Sequence, residues 1–334
     1  MGKINQKSVI LRSYNLFSMI ENFELIHKIK DLQAAKNAVI MAHYYQEPDV
    51  QDIADFVGDS LALAQKAVET DADMIVLAGV NFMAETAKIL NPSKKVLHPD
   101  PEAGCSLAES CPADQFEAFV KAHSGHTVIT YVNTTAAVKA LSDIACTSSN
   151  AVQIVASLPE DEKIIFGPDR NLGNYIKSLT HRDMLVWDGA CHVHEEFSLE
   201  KILELKKAHP DARLLAHPEC TKPILIVADH IGSTAELLRF SKTDTATEYI
   251  VATESGILHR MQKESPQKLF IPAPPKDSTC ACNDCRYMKL VTLQKIYDCL
   301  RNENNEVTLN EELRLKAEKP IRRMLEISNQ LGLI

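Results

Sequence analysis

Three times along the chain, a run of β-branched, Leu and Met residues stops on polar or aromatic groups. The runs are Ala-Val-Ile-Met-Ala-His43-Tyr44-Tyr45, Thr-Val-Ile-Thr-Tyr131-Val132-Asn133 and Ala-Arg-Leu-Leu-Ala-His217-Pro218-Glu219. Short apolar runs of this kind, with no polar alternation, read as strands buried on both faces. Seventeen residues beyond His43, Tyr131 and His217 stand Ser60, Ser148 and Thr234. Each hydroxyl opens a stretch with helical periodicity, over Leu61–Val68, Asn150–Ala156 and Ala235–Phe240. Each stretch leads to another apolar run: Met74–Ala78, Lys163–Gly167 and Tyr249–Ala252.

The unit is strand, helix, polar turn, helix, strand, repeated at about 85 residues. Alternating strands and helices imply parallel sheets covered by helices. The expected fold is α/β: three similar αβα domains with small parallel sheets around a pseudo-three-fold axis. The expected limits are 20–104, joined by the C-terminal segment 276–334, then 105–190 and 191–275. Ligands of such sheets bind beyond the carboxyl ends of the strands, near helix N-termini, so the active site belongs at the centre. His43 and Tyr45, Tyr131 and Asn133, and His217 and Glu219 are two apart and share a face while a strand lasts. Ser60, Ser148 and Thr234 are expected to cap their helices and to face one shared anionic ligand.

Composition narrows the chemistry. Hydrophobic residues are 45% of 334 and charged ones 24%, enough for a packed core. The net charge of −9, with no basic run, argues against nucleic-acid and anionic-membrane binding. No apolar run approaches a membrane span, and the N-terminus has neither a signal-peptide core nor a myristoylation motif, so a cytoplasmic location is expected. Only 11 glycines occur, scattered, without Gly-x-Gly-x-x-Gly or a Walker A loop, so the usual nucleotide cradles are missing.

The nine cysteines point to a metal or to catalysis rather than to a disulfide framework. Cys105, Cys191 and Cys285 each lie in a loop context, with gaps of 86 (105 to 191) and 94 (191 to 285) residues, close to the repeat. Cys146, Cys220 and Cys299 stand in apolar or helical company and read as small core residues. Three separated thiolates fit an iron–sulfur cluster with one iron free, because a closed cluster takes four. Cys282-x-x-Cys285 lacks a second pair to make a zinc ribbon, and His192 and His194 lack a complementary pair at ligand spacing. His123 and His126 look like solvated loop residues. The charged run 302–323 looks like an exposed amphipathic tail interrupted by Pro320.

Together, Ala-His43-Tyr-Tyr45-Gln, Gly-Asp-Ser60, Tyr131-Val-Asn133-Thr, Thr-Ser148-Ser, Gly-Ala-Cys191-x-Val-His194-Glu, His217-Pro-Glu219 and Gly-Ser-Thr234 resemble the quinolinate synthase family, the A protein of de novo NAD synthesis. The motifs run in order from about residue 38 to 290. The resemblance implies a [4Fe–4S] cluster on Cys105, Cys191 and Cys285 at the bottom of a central cavity. Many bacterial members carry Cys-x-x-Cys-x-x-Cys at the third site; the shorter Cys280-x-Cys282-x-x-Cys285 leaves Cys285, before Arg-Tyr-Met, as the matched ligand. The implied reaction condenses iminoaspartate with dihydroxyacetone phosphate to quinolinate, phosphate and water, with a flavoenzyme supplying the iminoaspartate.

The substrate-binding set implied is His43, Ser60, Tyr131, Val132, Asn133, Ser148, His217, Pro218, Glu219 and Thr234. Glu219, Tyr45, Tyr131 and His194 are the candidate acids and bases. His43 and His217 are expected to offer charge-assisted hydrogen bonds near neutral pH. Burial and substrate carboxylates are expected to raise the pKa of Glu219. The competing class is a non-catalytic iron–sulfur or zinc redox sensor, which would need neither the repeated hydroxyls nor the His/Glu sets.

Overall fold

Among the described residues, every named strand lies in one of three four-stranded parallel sheets with the same internal order. A computed structural model describes residues 22–277 and 283–333. The first sheet holds β1 (Ala38–His43), β2 (Phe56–Gly58), β3 (Met74–Ala78) and β4 (Lys95–Leu97), in the order β2-β1-β3-β4. The second holds β5 (Thr127–Tyr131), β6 (Ile144–Cys146), β7 (Ile164–Gly167) and β8 (Met184–Val186), in the order β6-β5-β7-β8. The third holds β9 (Arg213–Ala216), β10 (His230–Ile231), β11 (Glu248–Ala252) and β12 (Leu269–Pro272), in the order β10-β9-β11-β12.

Helices cover both faces, which is why the central strands are largely apolar. Met41 packs on one face of β1 with Leu61 and Ala64, while Ile40 and Ala42 pack on the other with Ile29 and Ile296. Likewise Leu215 of β9 faces Leu237 and Met261, and Leu214 and Ala216 face Ile202 and Ile224. Each fully buried aliphatic side chain contributes about 1.5–3 kcal/mol to holding these layers together.

The register puts Ala42 beside Ala78, Thr130 beside Gly167 and Ala216 beside Ala252. The central strands of all three units therefore end level with their neighbours, and the next residues are the polar ones singled out by the pattern. Four expectations need correction. The strands β2, β6 and β10 had been read as polar turns; at two or three residues they are too short to show a period. They lead straight into Asp59-Ser60, Thr147-Ser148 and Gly232-Ser233-Thr234.

The helix caps also differ. Asp59 caps the helix Ser60–Glu69 by accepting the Ala62 N–H at 3.0 Å, and Ser233 caps Thr234–Thr243 by accepting that of Glu236 at 3.3 Å. Ser60 and Thr234 are the first helical residues, so their hydroxyls are not spent on capping. Ser148 precedes the helix Ala151–Ala156 by three residues and caps nothing; Asn150 occupies the cap position there. Third, β1 ends at His43, and Tyr45 reaches the same space through a turn rather than a strand face.

Finally, the charged C-terminal run is docked, not free. Leu293–Asn302 is helical, 303–310 is not, and a second helix runs Glu311–Gln330. Pro320 sits inside that helix without ending it. Ala317, Ile321, Met324 and Ile327 face the core shared by the first two sheets. The buried Arg314 donates to the Ile89 carbonyl at 3.0 Å and to Glu311 and Glu318 at 2.6–2.8 Å. Among the described residues no helix is long and apolar enough to cross a membrane.

Candidate active site

The strand ends of all three units surround one small cavity of about 60 Å³. His43, Tyr45, Ser60, Tyr131, Asn133, Ser148, His194, His217, Glu219 and Thr234 line it, as do Cys105, Cys191 and Cys285. Two of the expected residues are elsewhere. Val132 is buried with its N–H donated to the Cys146 carbonyl at 2.8 Å, and Pro218 lines an outer cleft with Ser149 and Ser233.

Two imidazoles repeat one local device. The Tyr45 N–H donates to His43 Nδ1 at 3.2 Å, and the Glu219 N–H donates to His217 Nδ1 at 3.3 Å. With Nδ1 accepting, Nε2 must carry the proton in each neutral ring. His217 Nε2 then donates to Ser148 Oγ at 3.2 Å. Burial holds both histidines near a pKa of about 3, with His217 lowering His43 further. This corrects the expectation of charge-assisted donors: both are neutral donors at physiological pH.

That depression has a consequence for stability. Between pH 6.5 and about 3 the unfolded chain protonates these imidazoles and the folded chain does not, so stability falls as pH falls. At pH 5 the loss is about 2 kcal/mol per imidazole. Urea unfolding of the metal-free chain at pH 7 and pH 5 should show it, and replacing both histidines by Asn should flatten the difference. Equal pH dependence in that double variant would contradict the assignment.

Glu219 sits at the centre of a second network. It accepts the Tyr131 hydroxyl on Oε1 at 2.7 Å, and His194 Nδ1 lies 3.2 Å from Oε2. Burial alone would raise its carboxyl, but His194, His217 and the Tyr131 hydroxyl outweigh it and hold Glu219 at about 2. Its pKa is thus lowered, not raised as the sequence suggested; burial in a ring of donors differs from burial in an apolar pocket. The rings of His194 and His217 stack with centroids 4.8 Å apart. Tyr45 donates or accepts at 2.7 Å with both Thr234 and Thr253, and His194 Nε2 lies 3.0 Å from Thr253 Oγ1. Burial pushes the Tyr45 and Tyr131 phenols well above their usual range, so both stay protonated.

Asn133 Oδ1 is buried without a partner, an acceptor that a bound ligand could satisfy. Thr253 and Glu254 were missed by the sequence reading, which stopped at Ala252. The signal was available: they follow the apolar run of β11 directly, as His217 follows that of β9.

The three cysteines are free thiols. Burial pushes Cys105 up to about 12 and Cys285 up to about 11, and it pushes Cys191 well above the usual thiol range. Nothing protein-borne activates them as nucleophiles, and a metal would have to displace their protons. Three soft donors from three units, on one cavity with no fourth thiol lining it among the described residues, fit a cluster with an open iron. Cys191, His194 and Glu219 also bring ligand atoms within 4.8 Å of one another. His194 Nε2 meets Thr253 and Glu219 Oε1 accepts Tyr131, which leaves His194 Nδ1 and Glu219 Oε2 as the unspent donor atoms beside the Cys191 thiol. Cys146, Cys220 and Cys299 are fully packed and line no part of the cavity. Cys280 and Cys282 lie outside the described residues.

The chain matches the family described as quinolinate synthetase A protein over residues 27–326. It belongs to that family. Curated relatives named quinolinate synthase agree. The protein of Thermosynechococcus vestitus is 57% identical over 305 residues, 91% of this chain and 96% of its own. That of Chloroherpeton thalassium is 55% identical over 309 residues, 92% of this chain and 96% of its own. That of Trichodesmium erythraeum is 56% identical over 305 residues, 91% and 94% of the two chains. Membership makes this chain an enzyme.

Proposed function

We propose that this chain condenses iminoaspartate with dihydroxyacetone phosphate to quinolinate, phosphate and water, using a [4Fe–4S] cluster held by Cys105, Cys191 and Cys285. The observation that carries the reading is the convergence on one cavity of three free thiols with the hydroxyls of Ser60, Ser148 and Thr234 and the imidazoles of His43 and His217. A redox sensor has no use for that second set. We take the units as domains divided near residues 105 and 191, in a cytoplasmic chain whose iminoaspartate comes from a flavoenzyme.

The residues have physically distinct tasks. Ser60 and Thr234 open two ten-residue helices toward the cavity, and their hydroxyls, that of Thr234 shared with Tyr45, suit carboxylates and phosphate together with the helix N-termini. Neutral His43 and the Ser148–His217 pair donate without bringing a counter-charge that would trap a dianionic product. The protonated Tyr45 and Tyr131 phenols can donate to oxygens that gain charge during enolisation and dehydration. Glu219 orients Tyr131 and sets the position of His194, through which protons can pass. The cluster's open iron would serve as a Lewis acid for the departing hydroxyl.

Incubating the anaerobically prepared, iron-loaded chain with dihydroxyacetone phosphate and freshly generated iminoaspartate should yield quinolinate. A colourless chain carrying one zinc and making no quinolinate would overturn the reading.

A further inference from the structure

The third strand of each sheet, β3, β7 and β11, occupies the same place in the order. Two residues past the end of each stand Val80, Asp169 and Glu254. All three are buried, yet two are carboxylates, and burying an unpartnered carboxylate costs several kcal/mol. Their partners explain them. Asp169 Oδ1 accepts the Leu172 N–H at 2.7 Å and caps a helix, while Oδ2 accepts the N–H of Cys191 at 3.3 Å. Glu254 Oε2 accepts the Gly256 N–H at 2.8 Å, while Oε1 accepts the N–H of Cys285 at 3.1 Å. Lys289 Nζ lies 3.0 Å from Glu254 Oε1 and donates to the Tyr45 carbonyl at 3.0 Å. Gly256 is needed for this approach, because a Cβ there would come within 2.8 Å of Glu254 Oε2 and 2.7 Å of the Tyr45 carbonyl carbon.

We propose that Asp169 and Glu254 are positioning residues for the cluster, each holding the backbone N–H of one cysteine ligand and so fixing the loop that carries it. The inference rests on the cluster reading above. The first unit departs from the pair: Val80 replaces the carboxylate, although the Cys105 carbonyl accepts the Glu109 N–H at 2.9 Å just as those of Cys191 and Cys285 accept the N–H groups of Glu195 and Lys289 at 3.1 and 3.2 Å. The cluster's surroundings are therefore asymmetric, with carboxylate anchors behind Cys191 and Cys285 only. Such outer partners orient ligands, and nearby charge tunes an iron–sulfur potential.

The test is made on the cluster-loaded chain at pH 8 with Asp169→Asn and Glu254→Gln. Each keeps the side chain's shape but can no longer accept at both oxygens. Iron release to a chelator should accelerate about tenfold or more. In Glu254→Gln the cluster's midpoint potential should move positive, because the negative charge paired with Lys289 is gone; a purely structural role would not move it. Asp169→Glu and Glu254→Asp keep the charge and displace the acceptor by one methylene, so release should quicken while the potential shifts less. That second pair carries the release test if the amides fail to fold. Parent-like release and potential in folded variants would overturn the inference alone. A parent chain that never takes up a cluster would instead sink the reading on which it rests.

Discussion

Replacing any one of Cys105, Cys191 or Cys285 by Ala should leave the anaerobically prepared chain without iron and without quinolinate synthesis. Each thiol comes from a different unit of the fold, and all three line the same cavity with no fourth thiol to substitute among the described residues. The loss should be complete rather than graded, since two thiolates cannot retain a cluster that already has one iron without a protein ligand. The controls are Cys146, Cys220 and Cys299, which are buried in apolar packing, with Cys220 and Cys299 donating weakly to the carbonyls of Ala252 and Asn304. Ala at these three positions should cost some stability and leave iron content intact. Full iron in any member of the first set would overturn the ligand assignment.

Glu219→Gln should lower quinolinate formation by roughly 10²-fold or more, with iron content preserved. The carboxylate accepts Tyr131 on one oxygen and faces His194 on the other, at 2.7 and 3.2 Å. An amide can accept from only one of them and turns its own N–H₂ toward the second, so one proton-handling group loses its orientation. Because Glu219 is held ionised, its contribution lies in ordering donors rather than in delivering a proton at neutral pH. Near-parental turnover would remove it from the mechanism. Loss of iron would instead mark it as a metal ligand beside Cys191.

Much of this site could be read along the chain, for a definite reason. Strands buried on both faces write themselves as unbroken apolar runs, so β1, β3, β5, β7, β9 and β11 were visible, and the polar residues at their ends with them. The equal spacing from His43 to Ser60, Tyr131 to Ser148 and His217 to Thr234 reflects one topology used three times. What escaped depends on contacts that spacing does not encode. Asp59 and Ser233 take the capping role because they stand one residue earlier, which frees Ser60 and Thr234 for the cavity. The downward shift of Glu219 comes first from His194, 25 positions away in the chain, with His217 and the distant Tyr131 adding to it. The docking of the charged C-terminal helix follows from Ala317, Ile321, Met324 and Ile327 sharing one face, which the many charges between them obscured.

The central claim is that three thiolates hold a cluster whose remaining iron faces the substrate cavity. Mössbauer spectroscopy of the chain loaded with ⁵⁷Fe, recorded with and without quinolinate, tests it most directly. One iron of the four should change its isomer shift and quadrupole splitting when the product binds, while the three thiolate-held irons stay as they were. Four irons unaffected by quinolinate would contradict the account.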